Sequence, residues 1–401
     1  SNPPTLSASA SQTQAVGKLE AIITLSAIPD VNRQIDSLWL DLDRDARKSS
    51  NEVAAGANSA QFPFNMENLT DTTQVIVMQY SGRQNDGRTA QGTITFTIPP
   101  YFKFSRTITY ILTQQPIQGV ILAAGGDTAT SDANGISNIN KGTRAIDSII
   151  VSDPLNRYQR RLTFPAYGTN ITLISSQPDT LHPNFTIIQS FNQVARTRVD
   201  GRDTTTVRWP LNSTPGYVIE TPRFDQQTLG FIKDVASNDY EPITTGNVRN
   251  AASFYETTVP TDSIGRITFR HADFNGTQLL IVNNQIVGVI VYISNGITRG
   301  VVAHEAVGHG SGQVGHTDVV IGGSILDFTN SAQSPSAYDI RNADMLYQRP
   351  VNSGKPDDDR RPAGTATASA SSNIYGNNMR VIEIRESADF GVPQTPNTNL
   401  R

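Results

Sequence analysis

The sequence predicts a multidomain protein in which two N-terminal all-β modules precede an α+β domain. Its 401 residues are too many for one ordinary hydrophobic core and indicate about three domains. Through the first half of the chain, short apolar runs with period-two alternation recur between polar turns, as strands require. A helical spacing of apolar residues first becomes clear near residue 224.

The first module is expected at residues 16–99, behind a lead at residues 1–15 whose Ser, Thr, Gln and Pro content predicts a linker. Four strand-like runs support this module, at residues 19–25, 35–42, 73–80 and 93–98. This succession of short strands is typical of an immunoglobulin-like β-sandwich. Trp39 is expected to pack inside it.

Residues 100–199 continue the strand-and-turn pattern and predict a second β-sandwich module. Within it, residues 117–121 and 131–135 resemble transthyretin-like or carboxypeptidase-regulatory modules. That resemblance implies a rigid spacer or an adhesive unit.

The α+β domain is expected at residues 200–350. Residues 224–238 have apolar side chains on one helical face, and a Ser/Pro start with Asp339 predicts a second helix that includes Met345 as a core residue. Residues 351–401 predict a largely irregular tail with one edge strand near 378–384. Within the tail, residues 357–359 are three aspartates that form either a solvated loop or a structural Ca²⁺ site.

A cluster of histidines gives the strongest functional signal. Three of the five histidines, His304, His309 and His316, lie within thirteen residues, and Glu305 follows the first. Catalytic zinc takes three protein ligands and keeps a fourth position for water, and a chain without cysteine must supply His, Asp or Glu. We predict one Zn²⁺ ion held by these histidines, with Asp318 as the alternative third ligand. Glu305 is the candidate general base for the zinc-activated water.

The spacing of the first two histidines requires a special backbone. They are five residues apart, which turns the second ring by about 140° on a regular α-helix. A single π turn absorbs one extra residue, and such turns are frequent at functional sites. Gly308 allows this distortion, and the glycines at 310, 312 and 315 allow the chain to turn back so that His316 can arrive as third ligand.

These residues resemble the metzincin zinc peptidases of the matrixin type, whose pattern is H-E-x-x-H-x-x-G-x-x-H followed by a methionine turn. Two single-residue insertions separate this chain from that pattern, and Leu326 replaces the methionine of the turn. Residues 288–303 look like the strand and helix start that precede the zinc helix of that family. The resemblance implies a zincin-like domain with a mixed sheet and a zinc endopeptidase activity.

The run His304–His309 also resembles the H-E-x-x-G-H motif of dipeptidyl peptidase III, in which a five-residue spacing holds zinc. This likeness leaves an exopeptidase as one alternative function. Another alternative is a catalytically inactive surface binding or adhesion protein. His271 is either a neighbour of the metal site or a solvated loop residue.

Composition restricts the partners. The net charge of −4 and the absence of a basic cluster argue against nucleic acid. No apolar run approaches the roughly 20 residues of a transmembrane segment. The polar, strand-rich composition favours a secreted or cell-surface protein. We expect export of the bacterial type with the leader removed. A lipid-anchored form is an equally compatible alternative. The expected partners are therefore protein or peptide substrates, including extracellular ones.

Overall fold

The computed structural model describes residues 2–196, 198–199, 202–203, 205–317, 324–327, 332–351, 353–354, 357–361 and 379–385. The chain divides into two compact units. The first unit comprises residues 1–105, 123–129 and 138–147, and the second comprises residues 106–122, 130–137 and 148–401. Residues on both sides of position 199 therefore belong to one unit.

The first unit contains two antiparallel sheets. Its strands are β1 Thr5–Ala10, β2 Lys18–Ile28, β3 Ile35–Leu40, β4 Val53–Ala55, β5 Ser59–Glu67, β6 Gln74–Gln84 and β7 Thr89–Ile98. One sheet has the order β1-β2-β5 and the other the order β4-β3-β6-β7. The four predicted strand runs coincide with β2, β3, β6 and β7.

A single apolar core lies between these two sheets. Strand β2 alternates strictly, with Leu19, Ile23 and Leu25 fully buried between exposed neighbours. Phe62 of β5 and Phe96 of β7 join the same core from the two sheets. Period-two alternation places one face of each strand against the other sheet. The predicted β-sandwich is confirmed. Trp39 is buried, with 8% exposure, but it does not belong to the sandwich core that its neighbours Leu38 and Leu40 join, so the prediction that it packs inside the sandwich is wrong.

The prediction of a linker at residues 1–15 is wrong for its central part. Thr5–Ala10 forms strand β1 and pairs antiparallel with β2. Leu6, Ala8 and Ala10 pack against the sandwich core. Small apolar residues at alternate positions are enough for an edge strand, although the overall composition of the segment is polar.

The middle of the chain is rich in short strands. They are β8 Phe102–Tyr110, β9 Ile121–Ala124, β10 Asp127–Thr130, β11 Ile136–Gly142, β12 Ile149–Ser152, β13 Arg161–Thr163, β14 Asn170–Leu173, β15 Pro178–Asp179 and β16 His182–Thr186. The division between the two units falls within β8, β9, β10 and β11. In the second unit, β14 pairs in parallel with residues 107–110 of β8, and β12 pairs antiparallel with β13.

The rest of the second unit combines a mixed sheet with helices. Its elements are α1 Ile187–Ala195, β17 Arg198–Val199, β18 Arg202–Asp203, β19 Gly216–Glu220, α2 Gln226–Asn238, α3 Tyr240–Ile243, β20 Tyr255–Thr257, β21 Arg266–His271, β22 Gly276–Val282, β23 Gln285–Ile293, α4 Arg299–Ala303, α5 Ala337–Gln348, β24 Asp357–Asp358 and β25 Met379–Arg385. The main sheet has the order β20-β19-β21-β23-β22-β25. Five strands run in the same direction, and only β22, which is antiparallel to both of its neighbours, runs the opposite way among the described strands of this sheet.

Helices α2 and α5 pack on this sheet as their apolar patterns predict. Ile232 and Val235 of α2 and Met345 of α5 are fully buried in one core with the strands. Helix α5 begins with a capping box between Ser336 and Asp339. Strand β25 is the predicted edge strand, and it covers the outer side of β22. Among the described residues, no helix is long and apolar enough to cross a membrane.

Asp357 and Asp359 form buried ion pairs, so the expectation of a solvated loop is wrong for these two aspartates. The two carboxylate oxygens of Asp357 lie 2.7 Å from Arg196 Nη2 and 2.8 Å from Arg349 Nη2, and all three side chains are fully buried. Asp359 pairs with buried Arg161 at 2.8 Å. Arg161, Arg196 and Arg349 therefore pair with carboxylates that were candidate Ca²⁺ ligands. Burial alone would raise the pKa of Asp357, but Arg349 and Arg196 hold it well below its usual range.

Asp357→Asn is expected to lower the free energy of unfolding by about 3–5 kcal/mol, because it leaves two buried guanidinium groups without their counter-charge. Asp358→Asn is the matched control, since Asp358 pairs with the partly exposed Arg160 and should cost about 1 kcal/mol or less. The pKa of Asp357 is lowered on folding, so its contribution is present at neutral pH and disappears only below about pH 4. Urea unfolding between neutral and acid pH measures both effects, and equal losses in the two variants would contradict the assignment.

Candidate metal centre

The three clustered histidines converge in the second unit. The Nε2 atom of His316 lies 3.1 Å from the Nε2 atoms of both His304 and His309. Ligands at the zinc–nitrogen distance in a tetrahedral site are about 3.3 Å apart. The ring nitrogens are therefore close enough to share one ion. His304 and His309 are buried, whereas His316 is partly exposed.

Backbone carbonyls fix the orientation of two of these rings. His304 Nδ1 contacts the carbonyl oxygen of Ile325, and His309 Nδ1 lies 2.7 Å from the carbonyl oxygen of Gln313. A carbonyl can only accept, so each Nδ1 carries the proton and each Nε2 keeps its lone pair. This is the arrangement that metal-binding histidines need in their outer contacts.

The backbone between His304 and His309 forms the predicted π turn. A π-helical segment spans His304–Gly308 and continues into a 3₁₀ turn at His309–Ser311. The N–H group of His309 donates to the carbonyls of His304 and Glu305. The π turn therefore allows two histidines that are five residues apart to direct their rings toward one point.

Side chains from distant elements donate hydrogen bonds to backbone carbonyls of this irregular segment. The acceptor carbonyls and their partners are Glu305 with Thr277 Oγ1 at 2.8 Å, Ala306 with Tyr240 OH at 2.5 Å, Gly310 with Trp209 Nε1 at 2.9 Å and Ser311 with Tyr347 OH at 3.1 Å. Burial raises the pKa of Tyr240 and Tyr347, so both phenols retain the proton that they donate. Strand β22, helix α3 and helix α5 together hold the irregular helix end in place.

Gly312 reverses the chain so that His316 can approach the other two histidines. Its φ of +106° lies in the left-handed region, and an added Cβ would lie 2.2 Å from the Val207 carbonyl oxygen. Beyond this turn, the Gly315 N–H group donates to the carbonyl of Val194 in α1 at 2.8 Å. The Thr317 N–H group donates to the carbonyl of Leu326 at 3.0 Å. Asp318, the alternative third ligand, lies outside the described residues.

The turn at residues 324–327 lies against the π segment. Leu326 Cδ2 is 2.7 Å from the position that a Cβ on Gly308 would take. The buried carboxylate of Asp339 accepts hydrogen bonds from Ser324 Oγ at 2.6 Å and from the N–H group of Ile325 at 3.1 Å. Because the Ile325 carbonyl orients His304, Asp339 positions a candidate ligand as well as starting α5.

Glu305 is fully buried beside the histidines. Its Oε2 atom lies 2.8 Å from the hydroxyl of Thr277 on β22. Its carboxylate is not part of the group of converging ligand atoms, which leaves it available for a role other than coordination. Thr277 was not predicted from the sequence, although a buried hydroxyl in an otherwise apolar strand is a usable signal.

Two further histidines lie outside the ligand group. His271 ends strand β21, where its ring packs edge-on against Phe224 at a centroid distance of 5.8 Å. It is therefore a partly exposed strand residue rather than a loop residue. The buried His182 has its Nε2 atom 3.4 Å from Thr317 Oγ1, next to His316. No pattern in the sequence predicts this neighbour.

Comparison with known proteins adds little to these observations. No protein-family model and no curated protein matches the sequence. Among solved structures, the chain is similar to BcpA, the major pilin subunit of Bacillus cereus, with 11% identity, coverage of 42% of this chain and 69% of that chain, and a TM-score of 0.25. It is also similar to murine CEACAM1b, with 13% identity, coverage of 37% and 93%, and a TM-score of 0.17. These scores are too low to support an argument about fold or function.

Gly312→Ala is expected to destabilise the second unit by about 2–4 kcal/mol, because the left-handed backbone is strained and the new methyl group overlaps a carbonyl. Gly230→Ala is the control, since Gly230 lies in α2 with open space around it. That change should stabilise the protein by about 0.5–1 kcal/mol. Thermal unfolding measures both, and a Gly312→Ala protein as stable as its parent would refute the tight packing at this turn.

Proposed function

We propose that the second unit is a zinc-dependent metallopeptidase that hydrolyses peptide bonds in proteins or peptides. The observation that carries the proposal is the convergence of three histidine Nε2 atoms within coordination distance of one point. Two of the rings are already oriented as ligands by carbonyl groups. His304, His309 and His316 are the ligands in this proposal.

Zinc bound by these residues would make a water molecule acidic enough to attack a peptide carbonyl near neutral pH. Glu305 would remove the proton of the attacking water at its carboxylate and pass it to the leaving amine. It follows His304 directly in the chain, and the Thr277 hydroxyl, which has one proton to donate, lies 2.8 Å from both its Oε2 atom and its backbone carbonyl. Because an apo hydrogen bond can loosen or tighten when substrate binds, the present contact with Thr277 is compatible with that role.

The surrounding fold supports the same class of enzyme. A mixed sheet packed by helices precedes the zinc-ligand segment, as the metzincin resemblance implied. The turn around Leu326 packs against the π segment, and this contact supports its comparison with the methionine turn. Such a protein fits a secreted or cell-surface location, where peptide substrates are accessible.

Two observations favour a second candidate, a metal-binding surface protein without catalysis. His304, His309 and Glu305 are almost completely buried, and β25 already pairs with the outer side of β22. A peptide that required pairing with β22 could not bind until β25 moved away. In this candidate the metal would be bound without turnover, so activity separates the two functions.

Metal content is the first test of the proposal. Protein purified without added metal or chelator is expected to hold one zinc ion per chain, and His309→Ala should lose it because two imidazoles bind zinc far more weakly than three. His271→Ala is the matched control, since His271 lies outside the ligand group, and should keep its zinc. Elemental analysis gives the ratio, and absence of zinc even after reconstitution would exclude the enzyme.

Replacement of Glu305 tests catalysis separately from binding. Glu305→Gln should retain zinc but lose about 100-fold or more of its peptidase activity, because general-base catalysis contributes at least that much. Glu256→Gln, at an exposed ion pair, should keep full activity. Cleavage of a quenched peptide library gives the rates. A zinc-loaded protein with no cleavage in any form would favour the non-catalytic candidate, and undiminished cleavage by Glu305→Gln would remove Glu305 from the mechanism.

A further inference from the structure

A second cluster of candidate metal ligands lies in the first unit, in the loop between β3 and β4. Asp41, Asp43 and Asp45 each offer a carboxylate oxygen, and these atoms lie within 4.8 Å of one another. Asp41 directly follows β3 and is buried, whereas Asp43 and Asp45 are exposed. This cluster consists only of oxygen donors, unlike the histidine site.

The spacing of the loop matches a known calcium-binding pattern. Calcium loops of twelve residues place acidic ligands at positions 1, 3, 5 and 12 and a sharp turn, usually glycine, at position 6. Counting from Asp41, Glu52 occupies position 12 and Ala46 occupies position 6. Ala46 has a φ of +60°, which is the left-handed conformation that favours glycine. The loop therefore makes the required turn without the usual residue.

An oxygen of Asp41 gives independent support for a bound cation. Asp41 is 4% exposed, and its Oδ1 atom is buried with no hydrogen-bond partner in the described structure. Its Oδ2 atom accepts from the Ala46 N–H group at 3.3 Å. A buried carboxylate oxygen without a donor is costly, and such exceptions in native proteins often mark an ion or a ligand.

Nearby basic residues do not neutralise the three aspartates. Arg44, Arg47 and Lys48 belong to the same loop, yet none of the ion pairs found between described residues of this unit joins them to the cluster. Lys48 instead lies over the ring of Trp39, with its Nζ atom 5.6 Å from the ring centroid. The converging carboxylates therefore keep their negative charge available for a cation.

Glu52 folds the loop around the cluster. It is 1% exposed, and its Oε1 atom accepts from the N–H groups of Leu42 at 2.8 Å and Asp43 at 3.2 Å. Its Oε2 atom accepts from the N–H group of Ser49 at 3.0 Å. These bonds tie the two ends of the loop together and bring the aspartates to one side.

We propose that Asp41, Asp43 and Asp45 bind one Ca²⁺ ion in the loop that Glu52 organises. Carboxylate oxygens are hard donors that suit Ca²⁺ and not the softer metals that imidazole prefers. Ca²⁺ tolerates an irregular set of ligands, whereas Mg²⁺ demands near-ideal octahedral geometry and gives up its water reluctantly. The ion would stabilise the connection between β3 and β4 in the sandwich.

The test uses the full chain, freed of metal with a chelator and then titrated with CaCl₂. Calorimetry is expected to show one Ca²⁺ per chain with a Kd of about 10⁻⁵–10⁻³ M, the range of sensor-like and extracellular sites. Saturating Ca²⁺ should raise the unfolding temperature, because a ligand that binds only the native state stabilises it. MgCl₂ at the same concentration should give a smaller shift.

Two exposed ligands allow substitutions that spare the fold. Asp43→Asn and Asp45→Asn should each weaken Ca²⁺ binding about tenfold or more, because affinity follows the number of ligand charges. Asp71→Asn, at an exposed aspartate paired with Lys103, is the control and should bind as the parent does. Circular dichroism without Ca²⁺ checks that all variants are folded.

The proposal is overturned if the parent protein binds no Ca²⁺ at about 10 mM, well above the weakest affinity of such loops. It is also overturned if Asp43→Asn and Asp45→Asn bind as tightly as the parent, or if Mg²⁺ binds equally well. His309→Ala should leave Ca²⁺ binding unchanged. That result would show that this site is independent of the histidine site. The test therefore does not depend on the outcome for the proposed peptidase.

Discussion

The five-residue spacing between His304 and His309 is the constraint on which the metal centre depends. A regular helix would direct these rings apart, so the chain must form the π turn at His304–Gly308. Backbone carbonyls of this irregular segment lie inside the protein, and buried carbonyls need donors. Thr277, Tyr240, Trp209 and Tyr347 supply them from four different segments. Sheet, helices and loop are therefore arranged around one local distortion.

Much of the fold could be predicted because it depends on local patterns. The alternation in β2 and the helical spacing in α2 can be read directly from the sequence, and so can the π turn, since it follows from residue spacing alone. Partners distant in sequence could not be predicted. Nothing near Asp357 indicates that Arg196 and Arg349 will enclose it, and nothing near Glu305 indicates Thr277. The twelve-residue spacing from Asp41 to Glu52 is visible in the sequence, but the buried oxygen of Asp41 appears only in the fold.

The candidate metal centre differs from sites that fold only when metal binds. In small zinc domains the ligands are disordered without the ion, and binding energy becomes folding energy. Here hydrogen bonds of the protein itself hold the elements that carry the ligands: Asp339 holds the turn that orients His304, and the Gln313 carbonyl orients His309. Hydrogen bonds within the protein therefore orient at least two of the candidate ligands without a metal ion. Such preorganisation is what a site needs to carry out chemistry or reversible binding.

The number of candidate ligands also fits a site built for chemistry or reversible binding. Structural zinc sites are closed by four protein ligands, whereas catalytic sites use three and leave a position open. Within the described part of the chain, the converging group contains three histidines and no carboxylate. Glu305 adjoins the group without joining it, and His316 is its only partly exposed member. In the proposed peptidase a substrate would approach from the side of His316, because His304 and His309 are buried and β25 pairs with the edge of β22.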